Sequence, residues 1–416
     1  MMITLTRDLT IAAQQQGQSF SVPFTMPDGI RRMEVASSWE APDNGRATID
    51  LGCESHGRLL GFSPGSRDGF FVESTRSTPG FEPGPLTPGP WAVVLQAYRV
   101  PPGGVKVTLK IRLLPPQPQW FRGDFHHHTH HSDAAHSVAT VLEMAEDARL
   151  DFVALTDHNT VAQNRVVCES SVLAIPGTEV TSPQGHMNIL GATGVVDYRY
   201  GSIRDLAAPL AAVHSAGGLA VINHPFRDDS PWTQEWDFDW DLLEVWNETW
   251  APRNQLTLDW WQKALAKGRH IPVVGGSDMH SVNRFAGLRT GTPTTYVYAD
   301  GLTVPDILAA AKAGRSFISD SPEGPATWLT VDGHLPGESV SRGQHTVEVK
   351  LERAEECQLR LIGPAGALRS FDLPRTEGDA TFQWSWNAAD GEFVRAELWT
   401  QDSRLLRALT NPVYVA

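Results

Sequence analysis

Metal-ligating side chains recur in short clusters along the middle of this chain, several of them just beyond an apolar strand-like run. That placement restricts the fold more than any other feature. The first cluster, Gly123-Asp124-Phe125-His126-His127-His128-Thr129-His130-His131-Ser132-Asp133, holds five histidines within positions 126–131. Then come Thr156-Asp157-His158, Gly177-Thr178-Glu179, Gly185-His186, Asn223-His224-Pro225 and Gly276-Ser277-Asp278-Met279-His280. His158 follows the run 152–155, His224 follows 219–222, and Asp278 and His280 follow 271–274. An open sheet would spread such residues along a line. A (β/α) barrel gathers the C-terminal ends of its strands around one mouth, so a barrel is expected.

The segments between the clusters carry the matching helices. Ser137 opens a helix with Val138, Val141, Leu142, Ala145 and Ala148 on one face, and Ser202 caps another that runs to about Ala216 before Gly217-Gly218. A third runs from about Asn254 to Lys267 and stops at Gly268. Strands are expected at 152–155, 219–222, 243–246 and from Ile271. Repeated β-then-α units imply parallel pairing. The flanks read differently. Residues 1–118 are β-rich, with Val105–Ile111 alternating at period two, and end at Pro115-Pro116-Gln117-Pro118, a stiff connector. From 323 to 416 strand-like runs return, as at Ala326–Val331, His345–Leu351 and Phe393–Trp399. The expected organisation is therefore an N-terminal β-rich domain (1–118), a barrel (119–322) and a C-terminal β-sandwich-like domain (323–416).

Composition narrows the partners. A formal charge of −14 opposes a nucleic-acid partner, because phosphate binding needs a basic face. No apolar run approaches the length of a membrane span, and the N-terminus lacks an apolar signal region, so a cytoplasmic protein without a membrane partner is expected. Cys53, Cys168 and Cys357 lie in separate regions without metal-ligand spacing and read as free thiols.

The motif set His126-x-His128-Thr129, Ser132-Asp133, Thr156-Asp157-His158, Glu179 with His186, His224-Pro225 and Asp278-x-His280 resembles that of the polymerase-and-histidinol-phosphatase (PHP) superfamily. The flanking β-rich segments resemble its carbaryl-hydrolase-like branch. The resemblance implies a distorted (β/α)7 TIM-like barrel, PHP type, flanked by β-sandwich-like domains and holding two to three divalent ions, Zn, Mn or Fe. It implies that His126, His128, Glu179 and Asp278 hold one ion. Glu179 would bridge to a second completed by His186 and His224, and Asp133, His158 and His280 would hold a third. Glu179, Asp278 and His224 are the residues it places closest to the chemistry.

The residue types agree with such a division. On an extended segment His126 and His128 project to the same face, as do Asp278 and His280. A carboxylate shared by two cations about 3.5–4 Å apart lets them share a water, which loses a proton near neutral pH and becomes the nucleophile. The expected reaction is hydrolysis of a small-molecule phosphoester, with inorganic phosphate as a ligand and Arg227 as a substrate contact. Hydrolysis of a carbamate or carboxylic ester is the alternative within enzymes. Outside enzymes, the alternative is a ligand- or partner-binding protein with β-sandwich modules and an inactive barrel. Asp157 reads as either an orienting partner or a turn cap. His127, His130, His131 and His136 read as either supports or solvent-facing residues. Asn247 and Glu248 are candidates for the mouth, and Arg253, Arg284 and Arg289 are further candidate cations. His214 and His270 read as packed or surface histidines.

Overall fold

The computed structural model describes residues 2–416 apart from 43–44, 66, 75, 169, 192–193, 283–286, 374–377 and 390. Arg284 therefore lies outside the described residues. Two compact units divide the chain, Met1–Gln117 and Pro118–Ala416.

The first unit is built of β-strands, with one short 3-10 turn at Ala13–Gln15. One antiparallel sheet orders Ile3–Ile11, Val105–Leu114, Arg32–Glu40 and Gly69–Glu73, and the other orders Ser19–Met26, Gly89–Arg99, Thr48–Ser55 and Arg58–Ser63. The alternation of Val105–Leu114 buries Val105, Val107, Leu109, Ile111 and Leu113. These join Leu51, Cys53, Trp91, Val93 and Leu95 of the other sheet in one core, a two-layer sandwich.

The second unit is mixed α/β. Its strands are β1 (Gln119–His127), β2 (Phe152–Leu155), β3 (Leu173–Ser182), β4 (Gly185–Leu190), β5 (Leu219–Ile222), β6 (Leu242–Asn247), β7 (Val273–Gly276), β8 (Thr294–Ala299) and β9 (Ser316–Ser319). In the sheet they run β7-β6-β5-β4-β3-β2-β1-β8-β9. Strands β1, β2 and β3 are mutually parallel, as are β5, β6 and β7. Strand β4 is antiparallel to both β3 and β5, because Ser182-Pro183-Gln184-Gly185 closes a hairpin where simple β-then-α repetition predicts a crossover. Main-chain bonds link the segment after β7 back to β1: Asp278 N donates to His126 O at 2.8 Å and His128 N to Met279 O at 3.2 Å.

The helices are α1 (Val138–Asp147), α2 (Ala207–Ser215), α3 (Pro252–Ala266) and α4 (Val304–Lys312). Ser137 caps α1 by accepting from Thr140 N. Ser202 forms a capping box with Asp205, but the first turn after it, Ile203–Leu206, is 3-10, and α2 proper starts at Ala207. Pro209 has no amide hydrogen to give to that turn, which accounts for the tightened start. Pro252 occupies the first turn of α3, where no donor is needed. Strand β7 starts at Val273 rather than Ile271, since Pro272 cannot donate to a ladder.

The inner face explains the site. Ile175, Leu190, Val221, Leu242 and Val274 belong to one apolar cluster with Ile307 and Leu308 of α4. Two or four residues along the same strands, and so on the same face, stand Glu179, Asn188, Asn223, Glu244 and Gly276. The face is thus apolar toward one end of the sheet and polar toward the C-terminal ends of its parallel strands. The opposite faces of β4 to β7 pack Ile189, Ile222, Leu243, Val245 and Val273 against Leu210 of α2 and Leu258, Trp261 and Leu265 of α3.

The stretch 323–416 continues this unit. Leu406–Thr410 pairs with β9 and extends the sheet through Phe393–Thr400, Cys357–Gly363 and Gly366–Asp372, while Ala326–Val331, Gly343–Glu352 and Ala380–Ala388 form a separate three-stranded sheet. Among the described residues no helix is long and apolar enough to cross a membrane.

Candidate metal centre

Strand β1 presents Asp124 and His126 with His128 just beyond its end, and all three are buried. The hairpin presents Glu179, Thr181 and His186 together, because Thr181 pairs with His186 and Glu179 with Asn188. His158 follows β2, His224 follows β5, and Asp278 and His280 follow β7. His224 and Asp278 both have left-handed backbones, φ 25° and 48°. Such conformations cost about 1–3 kcal/mol each and persist where surroundings over-determine them.

Five of the imidazoles converge on Glu179, which is fully buried. Its Oε1 lies 3.4 Å from His126 Nε2, 3.2 Å from His186 Nδ1 and 3.4 Å from His224 Nε2. Its Oε2 lies 2.8 Å from His158 Nδ1 and 3.6 Å from His128 Nε2. Asp278 Oδ1 lies 3.3 Å from His126 Nε2 and 3.0 Å from His128 Nε2. An outer group completes the arrangement: Asp133 Oδ1 is 3.6 Å from His158 Nε2 and 3.3 Å from His280 Nε2. Four sets have ligand atoms within 4.8 Å of one another: His126, His128 and Glu179; Glu179, His186 and His224; His126, His224 and Glu244; and His128, Asp133, His158 and His280. The nine side chains singled out in the sequence thus stand at one place, and Glu244 joins them.

The donor set fits divalent cations. His126 Nε2 and His128 Nε2 face each other at 3.1 Å, an arrangement that one shared cation satisfies better than two ring protons. Two of the far nitrogens are tethered: His126 Nδ1 lies 2.9 Å from Glu244 Oε1, and His280 Nδ1 lies 2.8 Å from Asp278 O. A histidine whose second nitrogen is held by a carboxylate or carbonyl is the usual form of a metal-bound imidazole. Burial opposes charge on His126, yet Asp278, Glu244 and Glu179 raise its pKa well above the ordinary value. Burial lowers that of His128 to about 4. Burial also works against ionised Glu179 and Asp278, but the surrounding imidazoles, His126 foremost, hold both carboxylates well below the usual range. The pocket calls for positive charge where its nitrogens meet its oxygens.

Supporting residues fall into place around this centre. Asp157 orders the loop after His128, since Oδ1 accepts from Thr129 N at 2.9 Å and Ser132 N at 3.0 Å, and Oδ2 accepts from Thr129 Oγ1 at 2.8 Å. Asn223 Nδ2 donates to Glu179 Oε1 at 2.7 Å, and Thr181 Oγ1 lies 2.6 Å from His158 Nδ1. His127 turns away to Thr290 Oγ1 at 3.1 Å, and His130 is exposed with its ring 4.8 Å from that of His131. Arg227 Nη1 donates to Asp278 Oδ2 at 2.7 Å and lies 3.6 Å from Glu248. Asn247 reaches both Glu244 and Asp278. Arg253 pairs with Glu248, Arg289 pairs with exposed Glu323, His214 binds Asp239 and Asp241, and His270 stacks on Tyr414. Glu244, Asn223 and Thr181 had no assigned role in the sequence reading. The signal for Glu244 was present as a charged residue inside the apolar run Leu242-Leu243-Glu244-Val245-Trp246.

No protein-family profile matches the chain, and no curated protein matches it. Among solved structures it is similar to a two-domain protein of Bacteroides vulgatus containing a predicted PHP-like metal-dependent phosphoesterase. That likeness has 16% identity and a TM-score of 0.40, covering 71% of this chain and 96% of the other. It is also similar to an amidohydrolase of Chromobacterium violaceum with bound sulfate and no metal, at 17% identity and a TM-score of 0.28, covering 39% of this chain and 88% of the other. Likeness of that depth leaves any functional reading to the side chains themselves.

Proposed function

We propose that this chain is a metal-dependent hydrolase, with phosphoesters as its substrates and a PHP-type barrel mouth as its site. The observation that carries the reading is the convergence of five imidazoles on buried Glu179, with far ring nitrogens tied at His126 and His280. His126, His128, Glu179 and Asp278 would hold one ion, Glu179, His186 and His224 a second, and Asp133, His158 and His280 a third. Divalent ions bound there supply Lewis acidity and lower the pKa of water toward neutrality.

The chain's own part is to place anionic oxygens and to hold geometry. Glu179 serves two ligand sets at once from a position that Asn223 fixes by donating to Oε1. Arg227 stands beside Asp278, so an anionic ester oxygen meeting Arg227 would also lie at the ligand cluster. No Ser or Cys nucleophile is required. Phosphoryl oxygens carry charge and can engage several cations, whereas an uncharged carbamate or carboxylic ester gains less from such a site.

The test is metal analysis of purified protein combined with turnover of aryl phosphates, carbamates and acetates. Two to three divalent ions per chain, faster turnover of the phosphates and competitive inhibition by inorganic phosphate are expected. A clear preference for uncharged esters, with phosphate indifferent, would transfer the assignment to ester or carbamate hydrolysis. A chain that takes up less than one ion after incubation with Mn or Zn would be a binding protein instead.

A further inference from the structure

Glu244 is buried on the inner face of β6 and makes contacts that no other residue of the site duplicates. Its Oε1 lies 2.9 Å from His126 Nδ1. Its Oε2 accepts from the main-chain N of His224 at 2.9 Å and from Asn247 Nδ2 at 3.2 Å. Asn247 in turn lies 3.4 Å from Asp278 Oδ2. One carboxylate therefore reaches the ligand-bearing ends of β1, β5 and β7 from the strand between the last two. Room for it comes from Gly276, where a Cβ would stand 2.8 Å from Glu244 Oε1 and collide with the His126 side chain.

We infer that Glu244 is a positioning residue that couples the ligand sets. It accepts a hydrogen bond from His126 Nδ1–H, which leaves Nε2 free to bind an ion, and it pins the main chain at His224 in its left-handed conformation. The inference rests on the metal reading above. The chemistry demands an acceptor at both ends of the side chain, since all three donors point at it. A glutamine in its place offers one oxygen and one NH2 group, so either His126 or His224 would face a donor. Removal of such a partner typically lowers metal affinity about 10- to 100-fold.

The experiment is stepwise titration of metal-free parent and Glu244→Gln proteins with Zn2+ against a chromophoric chelator. Two ions of the variant should bind about 10- to 100-fold more weakly, because His126 and His224 belong to different sets. An ion held by Asp133, His158 and His280 should keep its affinity, which general loss of folding would not allow. Equal affinity in parent and variant overturns the coupling role while leaving the metal reading intact, and a parent that binds no ion overturns both. Should the variant fail to fold, 15N-histidine spectra of the zinc-loaded parent decide: the role requires His126 to bind through Nε2 and keep a slowly exchanging Nδ1 proton. Coordination through Nδ1 overturns it.

Discussion

The inner and outer halves of the candidate ligand cluster differ in burial and in how firmly their side chains are held. The side chains of His126, His128, Glu179, His224 and Asp278 are at most 3% exposed and that of His186 is 16%, whereas those of His158, His280 and Asp133 are 21%, 34% and 60% exposed. The inner residues are also held on several sides. Asn223 fixes Glu179, Glu244 fixes His126 and the His224 backbone, and Asp278 is reached by Arg227 and Asn247. Outer Asp133 is mostly exposed and has the imidazoles of His280 and His158 at 3.3 and 3.6 Å. Identical ligands therefore do not make equal sites. A buried carboxylate whose solvation is already lost gains most from a cation, and a fixed ligand loses least entropy on binding one.

The largest break in that comparison should come from its centre. Glu179→Gln removes a charge that faces five imidazoles, so occupancy at both inner positions should fall together. Turnover should drop by about two orders of magnitude or more, beyond the loss typical of a supporting residue. Elemental analysis and initial rates check it. Near-normal metal content in the variant would remove Glu179 from its shared position. Next in size is Gly276→Ala. The new methyl group would press on His126 and stand 2.8 Å from Glu244 Oε1, so a stability loss of about 1–3 kcal/mol is expected, with weaker inner-site binding. Denaturant melts of the metal-free protein separate the packing cost from the metal effect. Asp133→Ala should do less. With the side chain already mostly in water, its loss should release one ion of three, and the two inner ions should remain through gel filtration in dilute chelator.

The candidate ligands and the residues that support them differ in how far the sequence revealed them. The candidate ligands stood out by residue type: His158, His224, Asp278 and His280 follow apolar strands closely, whereas His126, Glu179 and His186 lie within strands of the sheet. The supports were harder to read. Glu244 acts on partners 118 and 20 residues away, and which face of β6 it occupies depends on the pairing of its neighbours. The antiparallel β4 was hidden for a related reason. Thr181-Ser182-Pro183-Gln184-Gly185-His186 marks a turn, but the turn alone does not say that His186 will pair across from Thr181. The C-terminal stretch reads as a separate sandwich by its alternation, yet Leu406–Thr410 pairs with β9, a long-range choice that local pattern cannot encode. Residue type carried the chemistry, and register carried the support.

The smallest expected effect concerns Arg227, which stands at the border of the two halves. Its side chain is 28% exposed, and the guanidinium has Asp278 at 2.7 Å, Asp229 at 3.0 Å and Glu248 at 3.6 Å. Arg227→Ala removes one cation from an incoming anion and also frees Asp278 from a competitor. The first effect should weaken inhibition by inorganic phosphate about 3- to 10-fold, since a partly exposed charged hydrogen bond contributes only modestly. The second should leave inner-ion affinity unchanged or slightly higher, because Asp278 then gives its full charge to the metal. Phosphate inhibition constants and chelator competition, measured on the same preparation, separate the two. Weaker phosphate binding with intact metal affinity makes Arg227 a substrate contact. Unchanged phosphate binding with lost metal would make it a brace for Asp278 and would move it into the inner half.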